Sequence, residues 1–170
     1  MIRQSELRDA PAIAAMHVRT WQSAYAGVVD DEYLANLSLE ARTARWRTTL
    51  ADPELRSRVY VAVNDEDVII GHVSFGPGRD ADHSRDGAWE IYSIYVDPAY
   101  QGNQYGSQLL RAALRVIPQT VSRVTLWVLT DNIAARKFYV AQGFEADGQH
   151  QDAPVGEQVL DEMRYSLHRD

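Results

Sequence analysis

The sequence predicts an α/β chain of the α+β type, a mixed sheet with helices against it, in one domain over residues 1–170. Three observations carry this. The hydrophobic period switches repeatedly between about 3.6 and 2, so helices and strands interleave. Neighbouring strand-like runs joined by short turns argue antiparallel pairs, while a later strand–helix–strand run argues a right-handed parallel crossover. No repeat, low-complexity tract or Gly/Ser linker divides the chain, and 170 residues suit one sizeable core.

The elements follow in order. Ile2 to Glu6 reads as a short strand. Asp9 offers an N-cap and Pro11 fits the first turn of a helix carrying Ile13, Met16, His17, Thr20, Trp21 and Ala24. After Gly27, Leu34 and Leu37 lead to Ser38, the N-cap of a second helix with Ala41, Arg45, Trp46 and Thr49. Arg58 to Val63 alternates, Val59, Val61 and Val63 on one face, Tyr60 and Ala62 on the other. Asn64 to Asp67 is a turn, and Val68 to Phe75 completes a hairpin. A polar loop, Arg79 to Gly87, precedes Ala88 to Val96, which is apolar and aromatic on both faces and therefore central. Gln101 to Ile117 is a loop and then an amphipathic helix stopped by Pro118. Val121 to Leu129 is a strand, Ile133 to Gln142 a helix ended by Gly143. Strands from Phe144 and over Gln158 to Leu167 finish the chain. The order is β-α-α-β-β-β-α-β-α-β-β.

Composition narrows the function classes. The chain is 45% apolar and 24% charged, as in ordinary globular proteins. It has no cysteine, hence no disulfide framework, thiol nucleophile or zinc-thiolate site. No apolar run approaches the ~20 residues of a membrane span, and the N-terminus lacks a signal-peptide pattern. A formal net charge of −7 argues against nucleic acid as a partner. The expectation is a cytoplasmic protein acting on something small, with no membrane partner. The acidic balance by itself leans weakly toward a cationic molecule as the thing acted on. All but one of the 17 basic residues are Arg, Lys137 being the exception; base composition accounts for such a bias, and so does anion binding.

The richest segment is Val96 to Ser107, between the central strand and an amphipathic helix. A helix N-terminus offers unpaired N–H groups and a partial positive charge, and small residues let a phosphate approach. The segment reads either as a pyrophosphate cradle or as an ordinary strand-to-helix turn. It is neither a Walker loop nor a Gly-x-Gly-x-x-Gly dinucleotide loop.

This context resembles the GNAT superfamily of N-acetyltransferases, whose signature is Gln/Arg-x-x-Gly-x-Gly/Ala between a strand and a helix. Here the frame is Gln101-Gly102-Asn103-Gln104-Tyr105-Gly106. Gln101 and Gly106 match; Gln104 stands where the family has Gly. A second region, Leu126 to Phe144, resembles the family's later segment Asn-x-x-Ala-x-x-x-Tyr followed by Gly-Phe, here Asn132, Ala135, Tyr139 and Gly143-Phe144. Seven residues, about two helical turns, put Asn132 and Tyr139 on one face.

The resemblance implies a GNAT-like acyl-CoA N-acyltransferase fold and acetyl-CoA as co-substrate, with no metal. It implies main-chain contacts from Ile94 and Val96, a cradle from Gln101, Gly102, Gln104, Gly106 and Ser107, and a further contact from Asn132. Arg111, Arg136 and Lys137 could add phosphate contacts or be solvated. Glu90, a carboxylate on an otherwise apolar strand, is the expected general base, or else an ion-pair partner of an Arg. Tyr139 is the expected acid toward the leaving thiolate, or else a packing residue. The acceptor is then a small-molecule or peptide amine attacked directly, since no cysteine can carry the acyl group. A homodimer fits the family. The rival reading is a non-catalytic acyl-CoA-binding sensor or assembly module, motivated by Gln104.

Trp21, Tyr25, Tyr33 and Trp46 supply aromatics where such enzymes shape the acceptor pocket, and alternation puts Tyr92 and Tyr95 on opposite faces of their strand. Asp80, Asp82, His83 and Asp86 match no defensible metal spacing and read as a solvated loop. His72 and His150 could assist proton movement, with a structural role as the default reading.

Overall fold

The computed structural model describes residues 1–169. Its elements are β1 (Ile2–Gln4), α1 (Ala10–Ala24), α2 (Asp31–Ala35), α3 (Leu39–Ala51), α4 (Pro53–Arg56), β2 (Val59–Val63), β3 (Ile69–Pro77), α5 (His83–Asp86), β4 (Trp89–Val96), α6 (Tyr105–Val116), β5 (Arg123–Leu129), α7 (Ile133–Ala141), β6 (Glu145–Val155) and β7 (Gln158–His168). The major elements follow the predicted order. The short helices α2, α4 and α5 are additions; one turn is too brief to leave a periodic signal.

One seven-stranded sheet runs β1-β2-β3-β4-β5-β7-β6. β4 is the middle strand, as its two apolar faces require. The β4–β5 pair is parallel, crossing over through α6; every other pair is antiparallel. Val59, Val61 and Val63 pack with Ala10, Ile13 and Leu50 of α1 and α3. Ala62, Val73, Ile91 and Leu126 pack with Leu109, Leu110 and Ala113 of α6. The alternation of β2 therefore serves two cores on opposite faces of the sheet. No helix among the described residues is long and apolar enough to cross a membrane.

β1 stops at Gln4 rather than Glu6. A 3-10 turn over Leu7–Asp9 intervenes, in which Asp9 Oδ2 accepts from Glu6 N–H at 2.7 Å while Arg3 grips both carboxylate oxygens. Asp9 precedes α1, but its side chain caps no α1 N–H. Ser38 does cap α3, accepting from Ala41 N–H at 3.1 Å.

Two irregularities of β4 position the site. Ser93 pairs with Ser74 and Ile91 with Phe75, so Tyr92 is an unpaired bulge residue. β4 pairs with β5 only over Trp89–Ile91 against Val124–Leu126. Beyond Ile91 and Leu126 the two strands have separated, which opens a cleft in the middle of the sheet.

Candidate active site

The separated strands leave main-chain groups free. Asp97 N–H donates to Ile70 O on β3 at 2.8 Å. Successive strand residues turn their peptide groups to opposite sides, so Tyr95 and Ser93 also face β3 while Ile94 and Val96 face the opening. Val96 O accepts from Gln101 Nε2 at 3.0 Å, which ties the strand end to the following loop. The cleft encloses about 200 Å³ and is lined by Glu90, Ser93, Ile94, Asn132 and Tyr139, among others.

Past the C-terminal end of β4, α6 begins at Tyr105. Its first intrahelical hydrogen bond runs from Gln108 N–H to Gln104 O at 3.0 Å. The N–H groups of Tyr105, Gly106 and Ser107 therefore lack helical partners, and no side chain caps the helix. Gln104, the departure from the family pattern, has φ +64°. The position demands the left-handed region that glycine adopts freely, and a non-glycine residue there costs about 1–2 kcal/mol. Gln104 keeps the backbone course and leaves its side chain exposed. Gly102 is left-handed as well, with φ +79°. Gly106 serves a different need. A Cβ there would lie 3.3 Å from Phe138 Cζ on α7, so its absence lets the two helices approach.

Glu90 is 1% exposed and the largest buried carboxylate. Arg79 surrounds it: Nη2 donates to Oε1 at 2.6 Å, and Nε and the main-chain N–H donate to Oε2 at 3.1 and 3.2 Å. The expected ion pair with an Arg exists, and the carboxylate also lines the cleft. Three donors leave about one of its four lone-pair directions open. Arg79 was not foreseen, because its pairing depends on the β3–β4 register.

Tyr139 is packed among Phe138, Phe144 and Tyr165. Burial, with Tyr25 nearby, pushes its phenol well above the ordinary value. Its hydroxyl has no hydrogen-bond partner among the described residues, and the residue is buried, 8% exposed. Asn132 is first a helix cap, Oδ1 accepting from Ala135 N–H at 3.1 Å, and it also lines the cleft. Arg136 is engaged with Tyr165 Oη and Thr130 O.

Tyr92 and Tyr95 do not part to opposite sides. The bulge resets the alternation, and both line the cleft. Tyr92 Oη donates to Pro77 O at 2.6 Å, and Arg79 lies 4.4 Å from its ring centroid. Trp21 and Tyr25 line the cleft too, whereas Trp46 lies in a neighbouring cavity. His72 is fully buried and shares a hydrogen bond with Ser93 Oγ at 3.0 Å; desolvation and His17 lower it to about 3. His150 is exposed and pairs with Asp161.

The loop after β3 is not freely solvated. Ligand atoms of Asp80, Asp82 and His83 lie within 4.8 Å of one another, but cations already hold the acids. Arg164 binds Asp80, Asp82 and Asp147, and Arg123 binds Asp82 and Asp86. His83 Nδ1 accepts from Asp80 N–H, leaving Nε2 to meet Thr125 Oγ1 at 3.1 Å. These partners lie up to 84 residues away in sequence, out of reach of any local pattern.

A mixed sheet split at its centre, with the N-terminus of α6 following the strand end where the split opens, fits the fold that the two sequence segments resemble. The profile of the acetyltransferase (GNAT) family matches residues 17–144, and the chain belongs to that family. It is 29% identical over 132 residues to the uncharacterized N-acetyltransferase YuaI of Bacillus subtilis, covering 77% of this chain and 72% of that one. It is 32% identical over 145 residues to a mycothiol acetyltransferase of Brachybacterium faecium, covering 85% of this chain and 40% of that one. Among solved structures it superposes on PaiA N-acetyltransferase from Thermoplasma acidophilum, in complex with coenzyme A. The TM-score is 0.76 at 18% identity, covering 99% of this chain and 98% of that one. A ribosomal-protein-alanine N-acetyltransferase from Brucella melitensis gives 0.73 at 25% identity, covering 99% of both.

Proposed function

We propose that the protein moves an acetyl group from acetyl-CoA to a primary amine by direct attack within the β4–β5 cleft. The observation that carries this is the meeting, in one 200 Å³ cleft, of a buried carboxylate, a phenol without a partner and the free edge of β4. The residues suit the co-substrate. Unpaired N–H groups of Tyr105, Gly106 and Ser107, in the turn from Gln101 through Gly102 and Gln104, would receive its pyrophosphate. The N–H groups of Ile94 and Val96, turned away from β3, would flank the pantetheine arm and donate toward the thioester oxygen as it gains charge. Asn132 caps α7 and borders the same channel. Acetyl-CoA supplies the acyl group as a thioester.

A lysine-like amine has pKa ~10.4, so little of it is neutral at pH 7. Glu90 takes the amine proton through its remaining open lone pair. Arg79 keeps that carboxylate oriented toward the cleft. Tyr139 stabilises the departing sulfur. Its raised phenol makes full proton transfer to a thiolate unfavourable, so a hydrogen bond to the developing charge is its contribution.

Thiol release from acetyl-CoA over an amine panel tests this. Tyr139→Phe should lower turnover roughly 10- to 100-fold, the worth of a hydrogen bond to a charged group, with little change in acetyl-CoA affinity. Unchanged turnover over pH 6 to 9 would remove Tyr139 from the chemistry. Binding of acetyl-CoA without turnover of any amine would favour the sensor reading instead.

A further inference from the structure

The proposed reaction leaves a neighbouring cavity unused. It holds about 380 Å³ and lies beside the cleft, between α3 and the β2–β3 hairpin. Four arginines line it, Arg42, Arg45, Arg58 and Arg79, and no Asp or Glu among the described residues does. This is unexpected in a chain of net charge −7. Arg58 pairs with Glu54 and Arg79 with Glu90. Arg42 and Arg45 enter no ion pair among the described residues. They stand three apart on α3 and so project from one face of the helix.

Arg42 is held without an anion. Its guanidinium lies 5.5 Å from the Trp21 ring centroid, and its Nη1 is 3.5 Å from His17 Nε2. His17, which also lines the cavity, is pushed down to about 4 by burial and by the two arginines. It is therefore neutral near pH 7 and adds no charge; the cavity's positive field comes from guanidinium groups alone. Ser74 and Thr49 supply hydroxyls at its wall.

The cavity and the cleft share a wall, for Arg79 and Tyr92 line both. A molecule lying across that wall would have one end among the guanidinium groups and the other beside Glu90. Guanidinium forks match carboxylates and phosphates with two parallel hydrogen bonds, and a second cation would be repelled there. We infer that the acceptor is an amine that also carries an anionic oxygen group, carboxylate or phosphate, which Arg42 and Arg45 bind in this cavity. The inference rests on the cleft being the site of acetyl transfer. It reverses the preference for a cationic acceptor that the net charge suggested, because local field outweighs total charge at a site.

Titration calorimetry on the full chain tests it with unreactive product mimics. The probes are N-acetylalanine, its neutral amide and N-acetyl-O-phosphoethanolamine. One of the two anionic probes should bind at least tenfold tighter than the amide, and which one does identifies the group. Arg42→Gln with Arg45→Gln should abolish that advantage, while coenzyme A affinity stays within about twofold. Arg45→Lys, which keeps the charge and loses the fork, should fall between. Equal binding of acid and amide, or an advantage that survives the double substitution, would overturn the inference. Thiol release separates this from the reaction itself. Anion binding lost in the variants, with no amine ever acetylated, would support the anion site and sink the acetyltransferase reading. Acetylation of neutral and anionic amines at equal rates would overturn the anion site and leave the reaction standing.

Discussion

Replacing Glu90 by Gln separates its two roles. The side chain is 2% exposed and accepts three hydrogen bonds from Arg79, whose own side chain is 65% exposed. A hydrogen bond to a charged group contributes about 1.5–3 kcal/mol. Not all three are forfeited, because Gln retains one acceptor and Arg79 can turn to water. The net loss should be about 1–3 kcal/mol, a fall in Tm of roughly 3–10 °C for a chain of this size. The kinetic effect is of another kind. At pH 7 only about four in ten thousand molecules of an amine with pKa ~10.4 are neutral. By pH 9 that fraction has risen about a hundredfold, and a base is needed correspondingly less. Removing a general base costs roughly 10²–10⁴ in rate. Thus kcat/KM should fall about a hundredfold or more at pH 7 and recover much of that by pH 9. The assay is a pH–rate profile beside a thermal melt. A folded variant with a lowered Tm, and a profile that superimposes on the parent's, would refute the base role and leave Glu90 as the anchor of Arg79.

Two further outcomes follow. Gln104→Gly should relieve left-handed strain of about 1–2 kcal/mol while adding about 0.5–1 kcal/mol of unfolded-state entropy. Melting should show Tm unchanged or a few degrees higher with coenzyme A affinity retained; a clear loss of affinity would mean the Gln side chain itself binds the cofactor. Arg164→Met should keep the packing over Trp127 but strip the shared cation from Asp80, Asp82 and Asp147. Partial exposure of the acids limits the loss to about 2–3 kcal/mol at pH 7. Asp82 and Asp147 are held below the ordinary carboxylate value, hydrogen bonding to Arg164 leading for Asp82, while for Asp147 the bonds from Ser166, Gln149 and Arg164 overcome its desolvation. Depressed groups stabilise the fold above about pH 4 and lose that contribution as pH falls through their folded values. The gap between parent and variant in denaturant melts should therefore narrow from about pH 5 downward; a constant gap from pH 7 to pH 3 would sink the assignment.

What the sequence shows and what it hides divide along physical lines. The centrality of β4 is legible because a strand buried on both faces is apolar on both faces. Gly106 and Gln104 are legible as a turn, but not why one is Gly. That depends on the Phe138 ring, 32 residues later, lying 3.3 Å from where a Cβ would be. The bulge at Tyr92 is invisible because one extra residue alters no local propensity, yet it decides which tyrosines face the cleft. Glu90 stands out as a lone charge in an apolar run. Its partner Arg79 does not, since a polar loop gives no sign of which strand it folds back upon.

The arginine bias has the same character. Composition cannot distinguish an inherited preference from a required one, but particular positions can. At Arg164, Nε meets Asp147 at 2.6 Å, Nη1 meets Asp80 and Asp82 at 3.0 and 2.9 Å, and Nη2 meets Asp82 at 2.8 Å. Three carboxylates from two segments are joined by one planar group, which an ammonium on a flexible stem cannot do with fixed geometry. That junction pins the loop after β3 to β5, β6 and β7. The same loop begins with Arg79, so its anchoring fixes where the guanidinium meets Glu90 and where it faces the cavity beside α3. Arg42 and Arg45 have no such carboxylates around them. Guanidinium groups facing one another across a cavity repel, and an arrangement that keeps two of them unpaired there is understandable if an anion completes it.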